Sequence, residues 1–375
     1  MSQILSNLKM IFDGKLPEFR RFTKGNYLHP LSSVLIPSIC AIFCQCHSYR
    51  EMRGYAIDNF DYFKSFLDFS HGVPSSDTIR RVFCGINYEQ FGWCLREWAG
   101  VNNIPCTFLA IDGKRCRGSA HGEDSGVHIV NFFNTTERVT VFEVATDKKD
   151  NEITVVKSTL ATKQINLHGV TVTADAMLNQ KEICGYIIDQ EGNYLFSLKN
   201  NHPTLFADVE KYMENVQGLE TKTTINGDHG RIETRVYSLE TNIDWLAQKD
   251  EWTGLKGIGR IVRTVEEKGN MSVNTSYFLT SIDNLKGFVE AREQHWKVEN
   301  NLHWQLDTSF REDAQRHRCG DSPSVLNIIR KTALYFLERV KSISQRRTTV
   351  PELMGRCHTS IRNLEKVLTM QALQM

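Results

Sequence analysis

No stretch of this chain is long and apolar enough to cross a bilayer. Even the nearly continuous apolar run from Leu31 to Cys46 falls short of the roughly 18 residues that a spanning helix needs. The first ten residues lack an apolar core followed by a small-residue cleavage site. No secretory signal is therefore expected, and the chain reads as cytoplasmic. Charge of neither sign is in surplus, since 45 Lys and Arg against 44 Asp and Glu leave a net charge of +1. That excludes a globally basic nucleic-acid binder, but not one built from local patches beside an acidic centre. Such patches occur at Arg50 and Arg53, at Arg80 and Arg81, at Lys114, Arg115 and Arg117, and from Arg339 to Arg347. Low-complexity linkers and internal repeats are also missing.

What is present suits a globular protein. The 375 residues, 41% hydrophobic and 24% charged, suffice for two or three domains with buried cores. Ten cysteines without an export signal read as reduced thiols, several of them (Cys40, Cys44, Cys84, Cys94, Cys184) within apolar or helical runs. Cys40, Cys44, Cys46 and His47 are close in sequence, but their spacing matches no zinc-finger pattern.

Residues 1–100 read as helical. Leu31 to Cys46 is a helix buried on most faces, and Ser48 to Asn59 is a second. Ser75 or Ser76 caps a third, with Ile79, Val82 and Phe83 inward and Arg80 and Arg81 outward. This region is either a helix-turn-helix presenting Arg80 and Arg81 to DNA or a plain helical bundle. Phe91, Trp93 and Trp98 read as the core face of a further helix.

The texture then changes. Cys106 to Asp112 is an apolar strand ending on an acid. Val127 to Phe133 and Val139 to Ala145 are strands joined by a hairpin loop at Asn134 to Arg138. A helix over Glu152 to Ile165 follows, then a second acid-ended strand, Val170 to Asp175. A helix from Gln180 to Asp189 and a strand from Tyr194 to Leu198 come next. The stretch from Asp175 to Glu299 is about twice as long as that from Asp112 to Asp175, and its middle alternates as strands do. It reads as a β-rich insertion. After it comes a helix bearing Glu299, docked by Val298, Leu302 and Leu306. His295, Trp296 and His303 share the acid's face at helical spacing.

Three carboxylates from two strand ends and one helix suit a pair of divalent metals. Hard oxygen ligands fit Mg²⁺, and acids gathered without a cation would repel one another. Each acid also has a plain structural role open to it, as a turn or helix cap.

Their order and surroundings are Ile111-Asp-Gly-Lys-x-x-Arg-Gly-Ser119, Asp175-Ala-Met-x-x-Gln-Lys-Glu-Ile183, and His295-Trp-x-x-Glu-Asn-x-Leu-His-Trp-x-Leu-Asp307, followed by Phe310 to Ala314. Together they resemble the DDE transposases of bacterial insertion sequences, in the ISAs-type or H-repeat-associated branch, over roughly residues 10 to 340.

The resemblance implies a ribonuclease H-like α/β (α+β) catalytic core with an N-terminal helical domain and a β-rich insertion. The expected boundaries are 1–100 helical, 101–204 first catalytic part, 205–285 insertion, 286–345 second catalytic part and 346–375 a C-terminal tail. It implies metal-dependent cleavage and strand transfer at terminal inverted repeats by two Mg²⁺ ions, with Mn²⁺ substituting. Asp112 would bridge both ions, Asp175 would hold one and Glu299 the other. Asp307 and Glu312 are rival third acids. The partners implied are double-stranded DNA, at element ends and target, and a second copy in a synaptic dimer; the setting implied is the bacterial nucleoid.

Lys114, Arg115 and Arg117 are expected to grip phosphates, as are Lys181, the outward Arg80 and Arg81, and His295, which stands where distant relatives carry Arg. His303 is expected to contact DNA, hydrogen-bond the acid, or serve the fold. Lys199 to Pro203 departs from the family's Lys-Gly-Asn-Gln, and His229-Gly-Arg231 with Glu233 and Arg235 resembles an insertion motif. A nuclease without strand transfer and an inactive or domesticated DNA-binding relic are the alternatives.

Overall fold

A computed structural model describes residues 3–20, 28–122, 126–146, 151–228 and 231–373. His229 of the expected insertion motif lies outside the described residues. The chain opens with helices α1 (Gln3–Lys15), α2 (Leu31–Phe43), α3 (Tyr49–Asp58), α4 (Phe60–Lys64), α5 (Ser76–Gly85) and α6 (Tyr88–Trp98). Every residue of α2 is buried, as its unbroken apolar sequence requires. Ser48 and Glu51 cap α3 reciprocally, and the Ser75 hydroxyl accepts the first free amide of α5 from Thr78.

The α/β part follows: β1 (Phe108–Arg115), β2 (His128–Asn134), β3 (Val139–Thr146), α7 (Glu152–Ala161), β4 (Thr171–Ala174), α8 (Lys181–Ile188), β5 (Asn193–Leu198) and α9 (Pro203–Asn215). Next come β6 (Thr221–Asp228), β7 (Arg231–Glu240), β8 (Gly257–Glu267) and β9 (Asn270–Thr280). Helix α10 (Leu285–Lys297) runs through a π-helical turn (Val298–His303) into α11 (Trp304–Thr308). The chain ends on α12 (Ser322–Ile343), α13 (Val350–Thr359) and α14 (Ile361–Leu368).

The strands form one sheet in the order β3-β2-β1-β4-β5-β9-β8-β7-β6. Its first five strands, with β1, β4 and β5 parallel and β2 antiparallel to both β1 and β3, have the ribonuclease H-like arrangement. The inserted strands do not build a separate sheet. They continue the core sheet, because β9 pairs antiparallel with β5 from Leu195↔Thr280 to Leu198↔Tyr277. Among the described residues, no helix is long and apolar enough to cross a membrane.

Three expectations change. The stretch expected as a C-terminal tail forms helices packed on the core: Leu353, Met354, Cys357, Leu364, Val367 and Leu368 on α13 and α14 are buried in the same core as α2 and α12. Trp93 is 42% exposed on the outer face of α6, with Lys15 above its ring, while Phe91 and Trp98 are buried. Asp112 lies within β1 rather than at its end, since pairing with β2 runs on to Arg115↔His128.

Candidate active site

The two aspartates emerge side by side. Parallel pairing of β1 with β4 runs from Phe108↔Thr171 to Ile111↔Ala174 and stops there. The next residue on each strand is Asp112 and Asp175. Asp112 sits on the buried side of this opening, where Asn131 donates from its Nδ2 to the Asp112 carbonyl at 3.3 Å. Burial and the nearby Asp175 charge push the Asp112 carboxyl up, and His303 and His295 pull against them; the net direction is upward. Gly113 follows because a Cβ there would collide with the buried Glu152 and His128 side chains, which lie against each other.

Helix α10 is capped by Asn284, whose side chain accepts from the Gly287 amide at 2.8 Å. Phe288 and Ala291 on α10 share a buried cluster with Phe108, Leu195, Tyr237 and Phe278 of the sheet. The π turn then carries Glu299 over the opening. Such turns widen a helix by one residue and occur often at functional positions. Val298, Leu302 and Leu306 are each 2% exposed or less, so the expected docking stripe is the observed one.

His303 is the pivot of the site. Its Nδ1 lies 3.2 Å from Glu299 Oε2 and 3.4 Å from Asp112 Oδ2. Among the described residues, Asp112, Glu299 and His303 are the one group whose ligand atoms all lie within 4.8 Å of one another. The His303 contact holds the Glu299 carboxyl below its ordinary range. Asp175 stands at the other side, with His295 Nε2 3.7 Å from its Oδ1 and His295 Nδ1 3.0 Å from Thr173 Oγ1. That histidine, with Lys199 and Arg292 nearby, holds the Asp175 carboxyl low. Asp175, Lys199, Asn200, Asn274 and Arg292 line an open cavity of about 530 Å³.

The rival acids are otherwise engaged. Lys114 Nζ lies 2.5 Å from Asp307 and 3.1 Å from Glu312, and Glu312 is buried with Asn327 and Arg330 around it. Lys114, expected on DNA, is thus turned inward. His303, for which three roles were open, faces the acids. Lys181 is paired with Glu251, and both Arg80 and Arg81 are paired with Asp77 on the surface of α5. Arg117 is 78% exposed at its side chain, 3.7 Å from Asp313, and Arg115 is exposed beside it.

Sequence reasoning missed Arg292, which stacks against Phe278 and Trp296 and which burial pulls down to about 10. It also missed the buried Lys331, bonded to Asn131 and to Glu143. The available signal for Lys331 was a charge at a helix position whose spacing places it among the apolar residues of α12.

Carboxylates from adjoining strands and a crossing helix of a ribonuclease H-like sheet are the arrangement expected of a DDE-type transposase. The transposase DDE domain matches residues 106–337, and the domain associated with it matches residues 14–99. "Putative transposase YncI" of Escherichia coli O157:H7 is 32% identical over 343 residues, covering 88% of this chain and 86% of its own. "H repeat-associated putative transposase YhhI" of Escherichia coli K12 is 30% identical over 341 residues, covering 87% and 89%. "Uncharacterized protein in dhlA 3'region" of Xanthobacter autotrophicus is 32% identical over 285 residues, covering 74% and 95%. The chain belongs to the DDE transposase family, in its H-repeat-associated branch, and is an insertion-sequence transposase. Its substrate is DNA, and the family's chemistry uses divalent metal. An all-carboxylate and imidazole donor set, partly buried and mutually close, fits that requirement.

Proposed function

We propose that Asp112, Asp175 and Glu299 are the catalytic acids, that they hold two Mg²⁺ ions with Mn²⁺ as a substitute, and that the enzyme cuts double-stranded DNA at its terminal inverted repeats and joins the ends to target DNA. The observation that carries this reading is the meeting of Asp112 and Glu299, from β1 and the π turn, within reach of a common ion. Asp175 is close enough for its charge to act on Asp112. When bound, divalent ions neutralise charge at phosphorus and polarise the attacking and leaving oxygens.

The protein's own groups do the rest. Asp112, partly buried beside another carboxylate, is destabilised as an anion until a cation balances it. His295, anchored on Thr173 through Nδ1, sets Nε2 beside Asp175 and so fixes the carboxylate facing the cavity. Arg292 and Lys199 beside that cavity supply positive charge for a backbone phosphate. Arg115, Arg117, Arg80, Arg81 and Lys181 extend the DNA path over the surface, the last four by exchanging a carboxylate partner for phosphate. Bringing two element ends together calls for a homodimer.

The test is nicking and joining of a plasmid that carries the flanking element ends, with Mg²⁺ or Mn²⁺. Asp112→Ala, Asp175→Ala and Glu299→Ala lose both steps, and Asp307→Asn keeps them. Cleavage without joining would instead make the protein a nuclease. Binding without cleavage would make it a relic.

A further inference from the structure

We infer that His303 is a direct ligand, through Nδ1, of the divalent ion held by Asp112 and Glu299, and that it shifts this position toward Mn²⁺ relative to Mg²⁺. The inference rests on the reading of those two acids as metal-holding.

The geometry is that of a shared coordination sphere. Ligand atoms at neighbouring corners of an octahedron with bonds of about 2.1 Å stand about 3 Å apart. His303 Nδ1 is 3.2 Å from Glu299 Oε2 and 3.4 Å from Asp112 Oδ2, and all three atoms lie within 4.8 Å of one another. A ring N–H donates one well-aligned hydrogen bond, so it serves one of these oxygens at the expense of the other. A cation seated among the three satisfies all of them at once. The two oxygens come from separate elements, β1 and the π turn, so the convergence is a tertiary arrangement and not a local side-chain pairing.

The ring is also held for this task. The His303 side chain is 7% exposed, and Lys114 Nζ reaches the His303 carbonyl at 3.4 Å from beneath. Nε2 is buried and makes no hydrogen bond among the described residues, and it carries the ring proton when Nδ1 takes a cation. Its opposite number, His295, is 3.7 Å from Asp175 and engaged with Thr173, which leaves the imidazole donor on the Asp112–Glu299 side.

The consequence is selectivity. Mg²⁺ favours oxygen ligands and strict octahedral geometry, whereas affinity of mixed nitrogen and oxygen sets rises along the first-row transition ions from Mn²⁺ onward. Mn²⁺ accepts both carboxylate and imidazole, so one nitrogen in this set favours it.

The experiment uses the full-length protein without DNA, titrated with Mn²⁺ alone and then competed with Mg²⁺, and read by electron paramagnetic resonance. Bound Mn²⁺ is expected to show coupling to a histidine nitrogen, and isotope-labelled histidine should change that pattern without any substitution. His303→Gln is expected to lose the coupling and to reduce the Mn²⁺-over-Mg²⁺ preference on the order of tenfold. His168→Gln, at an exposed histidine outside the site, should keep both. Bound Mn²⁺ without histidine coupling in the wild type, or coupling retained in His303→Gln, overturns the inference while leaving the acids in place. Tight Mn²⁺ binding retained by Asp112→Asn would overturn the reading of the acids themselves.

Discussion

Lys114 and Glu312 form a buried ion pair, 3.1 Å from Nζ to Oε2, with side chains 12% and 1% exposed. Burial pushes the Glu312 carboxyl up, but Lys114, Arg330 and Lys331 together outweigh it and hold the group low. A carboxylate whose folded value is depressed contributes stability above its unfolded value and loses it as pH falls through the folded one. Glu312 is therefore a buried, ion-paired anion of the fold.

Glu312→Gln should destabilise the protein by about 3–5 kcal/mol, because Lys114 and Arg330 would keep their charges with no counter-charge at Glu312. Denaturant unfolding measures the loss, and Mn²⁺ binding by the folded fraction should survive. Intact stability would mean that the buried charges find partners by rearrangement.

Gly113→Ala tests the packing behind Asp112. An added Cβ meets Glu152 and His128, themselves buried and lying against each other, so neither moves away freely. We expect a loss of about 1–3 kcal/mol. Metal affinity should fall with it, since β1 shifts at the residue next to Asp112. Calorimetry and Mn²⁺ titration on the same variant check both.

Glu233 on β7 is ringed by Arg231, Arg235 and Arg263, and the Arg263 hydrogen bond leads in lowering its carboxyl from 4.5 to about 2. Because the folded value lies below the unfolded one, this contribution is present above about 4.5 and lost as pH falls toward about 2. The stability gap between wild type and Glu233→Gln should be widest near neutral pH and close across that window. Thermal melts over a pH series measure it, and a gap independent of pH would refute the assignment.

How much of this was written in the chain depends on what each element owes to its neighbours. Helix α2 and the cap at Ser75, one of the two serines expected there, follow from local sequence, and so do the acid-bearing strands. The docking of Val298, Leu302 and Leu306 was legible from spacing alone. The π turn was not: the same residues fit an α-helix equally well, and only packing across the sheet selects the wider turn. Lys114 looked like a DNA contact because its partners, Asp307 and Glu312, lie nearly 200 residues away in sequence. The burial of α13 and α14 was invisible for the same reason, as the surface that covers them comes from α2 and α12.

The pairing of β9 with β5 makes the insertion a cantilever clamped to the core and not an arm on a hinge. A pull on β6, β7 or β8 passes strand to strand into β5 and then β4, whose last residue adjoins Asp175. A displacement of those outer strands is mechanically geared to the segment that bears Asp175.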